Sequence, residues 1–116
     1  MKKEEMKDGI ELIMQLLTAL LEALDKAEDH IRRNEMEDKN QAVGRAIRIL
    51  FGLQTSLELG KSYELSEKLN DLYGYCISKC THANTNNDVK ALEEVRALIT
   101  EVASAWAHLP MIKEVA

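Results

Sequence analysis

Residues Asp8–Arg33 read Asp-Gly-Ile-Glu-Leu-Ile-Met-Gln-Leu-Leu-Thr-Ala-Leu-Leu-Glu-Ala-Leu-Asp-Lys-Ala-Glu-Asp-His-Ile-Arg-Arg, and this stretch decides the fold. A helical residue advances about 100° around its axis. On that spacing Ile10, Ile13, Met14, Leu17, Leu20, Leu21, Leu24, Ala27 and Ile31 fall on one face. Asp8, Glu11, Gln15, Thr18, Glu22, Asp25 and Asp29 fall opposite, the pattern of an amphipathic helix. A further line, Leu12, Leu16, Ala19 and Ala23, is also apolar and lies beside the core stripe. The apolar girth is therefore wider than one inward stripe requires.

The same periodicity continues outward. Asn34 suits the left-handed position that closes this helix, and Asp38 with Gln41 resembles a capping box for the next. Helix 2 carries Val43, Ala46, Ile47, Leu50, Leu53 and Leu57 inward. Gly60 is expected to end it, and Ser62 to cap helix 3. Helix 3 places Leu65, Leu69, Leu72, Cys76, Cys80 and Ala83 inward. The run Asn84-Thr85-Asn86-Asn87-Asp88 reads as a loop, with Asp88 or Asn87 as cap. Helix 4 presents Leu92, Val95, Ile99, Val102, Trp106 and Leu109, and Pro110 is expected to stop it.

Helices over about 8–33, 38–59, 63–83 and 88–109 joined by short loops must alternate in direction. The expectation is an all-α, antiparallel up-down-up-down four-helix bundle, with residues 1–116 forming one domain. Composition agrees: 116 residues, 46% apolar, with a single proline, leave no turn-rich strand pattern.

The net charge of −5, with basic residues scattered, argues against a nucleic-acid partner. No apolar run approaches the roughly 18 residues of a membrane span. The charged start, Met1–Asp8, does not read as a secretory leader. Two cysteines make no disulfide framework, so a reducing cytoplasm is the expected compartment.

Catalytic patterns are sparse. There is no glycine-rich phosphate loop and no His-Glu-x-x-His. Cys76 and Cys80 are one turn apart on the core stripe, where thiols act as small apolar groups, and zinc would need two further ligands. His30, followed by Arg32 and Arg33, could suggest phosphotransfer. A histidine interacting with the helix dipole is the simpler reading, and it applies to His108 as well. Glu93, Glu94 and Glu101 read as solvated charges. The expectation is a protein that is not an enzyme and has no cofactor and no metal.

Apolar surplus is the more informative signal. Leu12, Leu16, Ile49, Phe51, Tyr73, Tyr75, Ile77 and Leu98 extend beyond the inward stripes. They are candidate partner-binding residues for an amphipathic helix, or for self-association. Monomer and homodimer both stay open. Gly44, Gly52 and Gly74 lie inside helices, each at a cost of about 1 kcal/mol against alanine, and leave notches where a partner could approach.

Several elements together resemble a known family. Leu65-Ser66-Glu67-Lys68-Leu69-Asn70-Asp71-Leu72-Tyr73-Gly74-Tyr75-Cys76 is similar to the third-helix signature of the flagellar secretion chaperones (FliS), E-L-A-x-N-L-x-x-L-Y-D-Y-M. Ala83-Asn84-Thr85-Asn86-Asn87-Asp88 resembles that family's A-N-x-x-N-D loop. Glu94-Val95, Leu98-Ile99 and Ala105-Trp106 resemble its fourth helix. Gly44-Arg45-Ala46-Ile47 through Gly52-Leu53 and Leu57 resemble its second, and Leu12-Ile13 the opening of its first.

The resemblance spans about residues 10–109. It implies a cytoplasmic bundle that binds the disordered C-terminal segment of flagellin, blocks premature polymerisation and delivers the subunit to the export apparatus. Such binding couples folding of the client to many spread apolar anchors. The signature differs here in Gly74 for aspartate, Cys76 for methionine, Ser78-Lys79 for a basic pair, and Ser62-Tyr63 for a double glycine. The family's longer N-terminal segment, which covers part of the binding surface, is expected to be missing. The alternative reading is a non-enzymatic regulatory module, homodimeric through the same flanks and with another client.

Overall fold

The computed structural model describes the backbone of residues 2–57 and 63–115, and the side chains of residues 9–57 and 65–108. Four helices account for nearly all of it: α1 Lys2–Arg32, α2 Met36–Leu57, α3 Tyr63–Asn86 and α4 Val89–Val115. No strand occurs among the described residues. Among the described residues the close backbone approaches run around the ring α1–α2–α3–α4–α1, each helix lying beside two neighbours and diagonal to the third. This is the up-down-up-down four-helix bundle, 49 × 21 × 19 Å.

The inward stripes meet as the periodicity predicts. Leu17, Leu20, Leu24 and Ala27 of α1 are fully buried, as are Val43, Ala46, Leu50 and Leu53 of α2. Cys76, Cys80 and Ala83 of α3, with Leu92, Val95 and Ile99 of α4, complete the core. Each leucine removed from water contributes about 1.5–3 kcal/mol.

Two asparagines make the turns. Asn34 has φ 61° and Asn87 has φ 52°, the left-handed conformation that asparagine tolerates better than most residues. After α1, the Asn34 N–H donates to the Ile31 carbonyl at 3.1 Å and the Glu35 N–H to the His30 carbonyl at 2.8 Å. After α3, the Asp88 N–H donates to the Ala83 carbonyl at 3.1 Å. Both turns thus satisfy helix-end carbonyls by the Schellman arrangement. Asp88 Oδ1 then accepts the Lys90 and Ala91 amides at 3.1 and 3.3 Å, the expected cap of α4.

Some boundaries differ from the sequence reading. α1 starts at Lys2, because Lys, Glu and Met are strong helix formers and nothing before Gly9 breaks the run. α2 starts at Met36, and its first bond runs from the Lys39 N–H to the Glu35 carbonyl at 2.9 Å. Glu35 therefore holds the cap position, and Asp38 lies inside the first turn, facing the positive helix end. α3 continues to Asn86 because its polar residues return their bonds to the helix. Thr85 Oγ1 donates to the Thr81 carbonyl at 3.1 Å, and Asn86 Nδ2 to that of His82 at 3.0 Å. α4 passes through Pro110 to Val115, since one missing N–H removes one bond and the residues beyond keep helical dihedrals. Gly60 and Ser62 lie outside the described residues.

Among the described residues, several ion pairs tie α1 to α4 toward the end of the bundle that holds these two turns. Arg32 of α1 meets Glu93 of α4 at 3.4 Å. Arg96 of α4 reaches both Asp25, at 3.0 Å, and the buried Glu28 of α1. The opposite end carries the ends of α2 and α4 and the starts of α1 and α3.

Candidate functional site

That opposite end holds an apolar cleft of about 300 Å³ between α3 and α4. Its α3 wall is Leu65, Leu69 and Leu72, and its α4 wall is Leu98, Glu101, Val102, Ala105 and Trp106. Spacings of three and four residues stack each set on one flank of its helix. Leu65 is 54% exposed. The sequence reading placed it in the core, but it stands half in water at the rim of the cleft.

Beside the cleft a polar cluster closes the α3–α4 seam. The Tyr75 hydroxyl donates to the Glu94 carboxylate, and Lys79 Nζ lies 3.5 Å from the other Glu94 oxygen. The same ammonium sits 5.7 Å from the centre of the Tyr75 ring, within cation–π range. The Tyr75 hydrogen bond, aided by Lys79, holds the Glu94 carboxyl below its usual range. The hydrogen bond to Glu94 raises the Tyr75 hydroxyl in turn.

The sequence profile of the family described as "Flagellar protein FliS" matches residues 3–113. This chain belongs to the FliS family. The flagellar secretion chaperone FliSB of Pseudomonas aeruginosa is 39% identical over 95 residues, which cover 82% of this chain and 75% of that protein. The flagellar secretion chaperone FliS of Escherichia coli is 36% identical over 97 residues, covering 83% and 71%. That of Bacillus subtilis is 30% identical over 96 residues, covering 83% and 71%.

In this FliS-family chain the eight candidate partner-binding residues do not form one patch. The facing contacts Gln54–Asn70, Glu28–Arg96 and Tyr75–Glu94 fix the register of the helices. On that register Leu12, Leu16 and Ile49 lie along the α1–α2 seam, with Leu12 56% exposed. Phe51, 53% exposed, and the half-buried Ile77 lie along α2–α3. Tyr75 and Leu98 lie along α3–α4, and only Leu98 lines the cleft. Tyr73 is enclosed in the core at 1% exposure, so its ring offers no surface to a partner. Burial pushes its hydroxyl up to about 12, partly offset by Trp106.

The remaining reactive groups are accounted for locally. Burial pushes the Cys76 thiol up to about 11 and the Cys80 thiol up to about 12, so both remain protonated apolar fillers. His30 Nδ1 lies 3.0 Å from Glu35 Oε1 across the α1–α2 turn. With Asp38, these two bring ligand atoms within 4.8 Å of one another, the one grouping among the described residues that could hold a divalent ion. Glu35 and Asp38 stand open to water, as acids at a helix start commonly do.

Of the eight cleft residues, sequence reasoning named only Leu98 as a candidate, and it missed Lys39 and Arg96 as organising charges. For the rest of the cleft the signal was present in the three- and four-residue spacing of Leu65, Leu69 and Leu72, and of Leu98, Val102 and Ala105.

Proposed function

We propose that this chain is a flagellar secretion chaperone that binds the disordered C-terminal segment of flagellin in the cytosol. It keeps the subunit unpolymerised and passes it to the export apparatus. The observation that carries this reading is the open apolar cleft between α3 and α4, in a bundle of the FliS family. A bundle gains nothing by leaving Leu65 half in water at the cleft, whereas a client helix laid in the cleft removes that surface. The exposed flanks at Leu12, Leu16 and Ile49, at Phe51 and Ile77, and at Tyr75 and Leu98 serve as further contacts for a client that wraps more than one seam. The reading requires no catalytic residue and no cofactor.

A synthetic C-terminal flagellin segment from the source organism tests it. Trp106 is the only tryptophan and lines the cleft, so docking should change its fluorescence, with a negative heat-capacity change on binding. Leu65→Asp should weaken binding by about ten-fold or more, roughly 1.4 kcal/mol, while leaving the bundle folded. No saturable binding at tens of micromolar, an affinity floor of about −6 kcal/mol, would sink the reading.

A further inference from the structure

We propose that the bridge between Tyr75 and Glu94 is the end stop of the α3–α4 cleft, and that it sets how far along the seam a client helix can lie. The proposal rests on the client-binding reading above and adds to it the residues that fix the client's position.

Helical spacing places the bridge in line with the cleft. Leu65, Leu72 and Tyr75 are seven and three residues apart, and so share one flank of α3. Glu94, Leu98 and Ala105 are four and seven apart, and share the flank of α4 that faces it. Leu65, Leu72, Leu98 and Ala105 line the cleft, whereas Tyr75 and Glu94 do not. The Tyr75–Glu94 contact therefore crosses the seam one turn beyond Leu72 and Leu98, on the side of the Asn87 turn. From Leu65 to Leu72 α3 rises by about 11 Å, so the open part of the seam takes about two turns of a client helix.

The bridge resists displacement. Both Glu94 carboxylate oxygens are engaged: one accepts the Tyr75 hydroxyl, and the other lies 3.5 Å from Lys79 Nζ. The same ammonium sits 5.7 Å from the centre of the Tyr75 ring, so each of the three side chains meets the other two. An apolar side chain laid over this group would take a carboxylate and an ammonium out of water and return no hydrogen bond. The cleft thus suits a client whose apolar anchors span two turns and are followed by a polar residue.

The experiment uses the full chain and the C-terminal flagellin segment as a synthetic peptide, with benzoylphenylalanine placed at successive positions and the photo-crosslinked residues read by mass spectrometry. On the wild type, crosslinks in the α3–α4 seam should fall within residues 65–75 and 94–106. Tyr75→Phe, which removes only an exposed hydroxyl, and Glu94→Ala should move them past the bridge by about one turn, roughly three or four residues, to Lys79 and Lys90. Glu94→Gln keeps an acceptor for the Tyr75 hydroxyl and should keep the wild-type map. Wild-type crosslinks on both sides of the bridge would overturn the proposal and leave the client-binding reading standing. So would one map shared by all four proteins, or crosslinks confined to the other seams. Failure of the unmodified peptide to bind the wild type would overturn both.

Discussion

Lys39 Nζ donates to the side-chain oxygen of Asn87 at 2.8 Å, and to the Asn84 carbonyl at the same distance. An ammonium from the first turn of α2 thus closes the end of α3, two helices that are consecutive in sequence but meet here through their far ends. The lysine is 5% exposed. Its charge is stabilised by the negative end of α3 as well as by the two acceptors. It also steadies Asn87, the residue that makes the α3–α4 turn.

Removing the ammonium while keeping the stem isolates this tie. Lys39→Met should destabilise the bundle by about 1–3 kcal/mol, the range for a charged hydrogen bond whose partners stay behind. Urea denaturation would measure it. Because the group is buried, the loss should change little between low and high salt, unlike that of Arg32→Ala at the exposed pair with Glu93. A strongly salt-dependent Lys39 effect would contradict this assignment.

Asp88 supplies an acid-sensitive element. Burial opposes its ionised form, but the Ala91 amide, His82 and the Lys90 amide together outweigh burial and hold the carboxyl below its usual range. A group with a lowered folded-state pKa contributes stability that is fully present above the unfolded value, about 3.9, and is lost as pH falls through the folded value. Asp88→Asn keeps a good cap but cannot titrate. Its urea midpoint should therefore fall less than that of the wild type between about pH 5 and pH 2.5. Parallel acid limbs would rule out this role.

The two thiols offer a direct test of core packing. With Cys76 and Cys80 buried and their thiols pushed up to about 11 and 12, the native protein should resist a thiol reagent near pH 8. Both should react promptly in denaturant. Fast labelling of the native chain would mean that the α3 core is open.

Gly52 separates stability from docking. It is exposed, lies within α2, and has nothing within 4 Å of the place a Cβ would occupy. Gly52→Ala should therefore stabilise the bundle by up to about 1 kcal/mol, raising Tm by a few degrees. If client binding also drops, the glycine serves as a notch for the partner. If binding is unchanged, the notch lies elsewhere.

The helices were legible because a 3.6-residue rhythm in Leu17, Leu20 and Leu24, or Leu92, Val95 and Ile99, has one physical meaning. Asn34 and Asp88 were legible because few residues tolerate their positions. Tyr73 was not, since an aromatic on the shoulder of a stripe turns in or out depending on the neighbouring helix. Lys39 was hidden for a related reason: its partners lie 45 and 48 positions away, and only packing brings them together. Pro110 shows the limit of a local rule, because one breaker does not overrule the helical residues after it. The cleft was half legible: its residues carried the right periodicity, but where two helices leave a space between them is a property of the assembled bundle.

Among the described residues, ionic and capping ties brace the end that holds both turns. The pole at Asn34 and Asn87 is cross-braced by Lys39, by Arg32 with Glu93, and by Arg96 with Glu28. Toward the other end, Leu65, Leu69, Leu98, Val102 and Trp106 line the apolar cleft. With that bracing, amide exchange should be slow in the turns around Asn34 and Asn87 for residues so near helix ends, and Lys39→Met should speed it there.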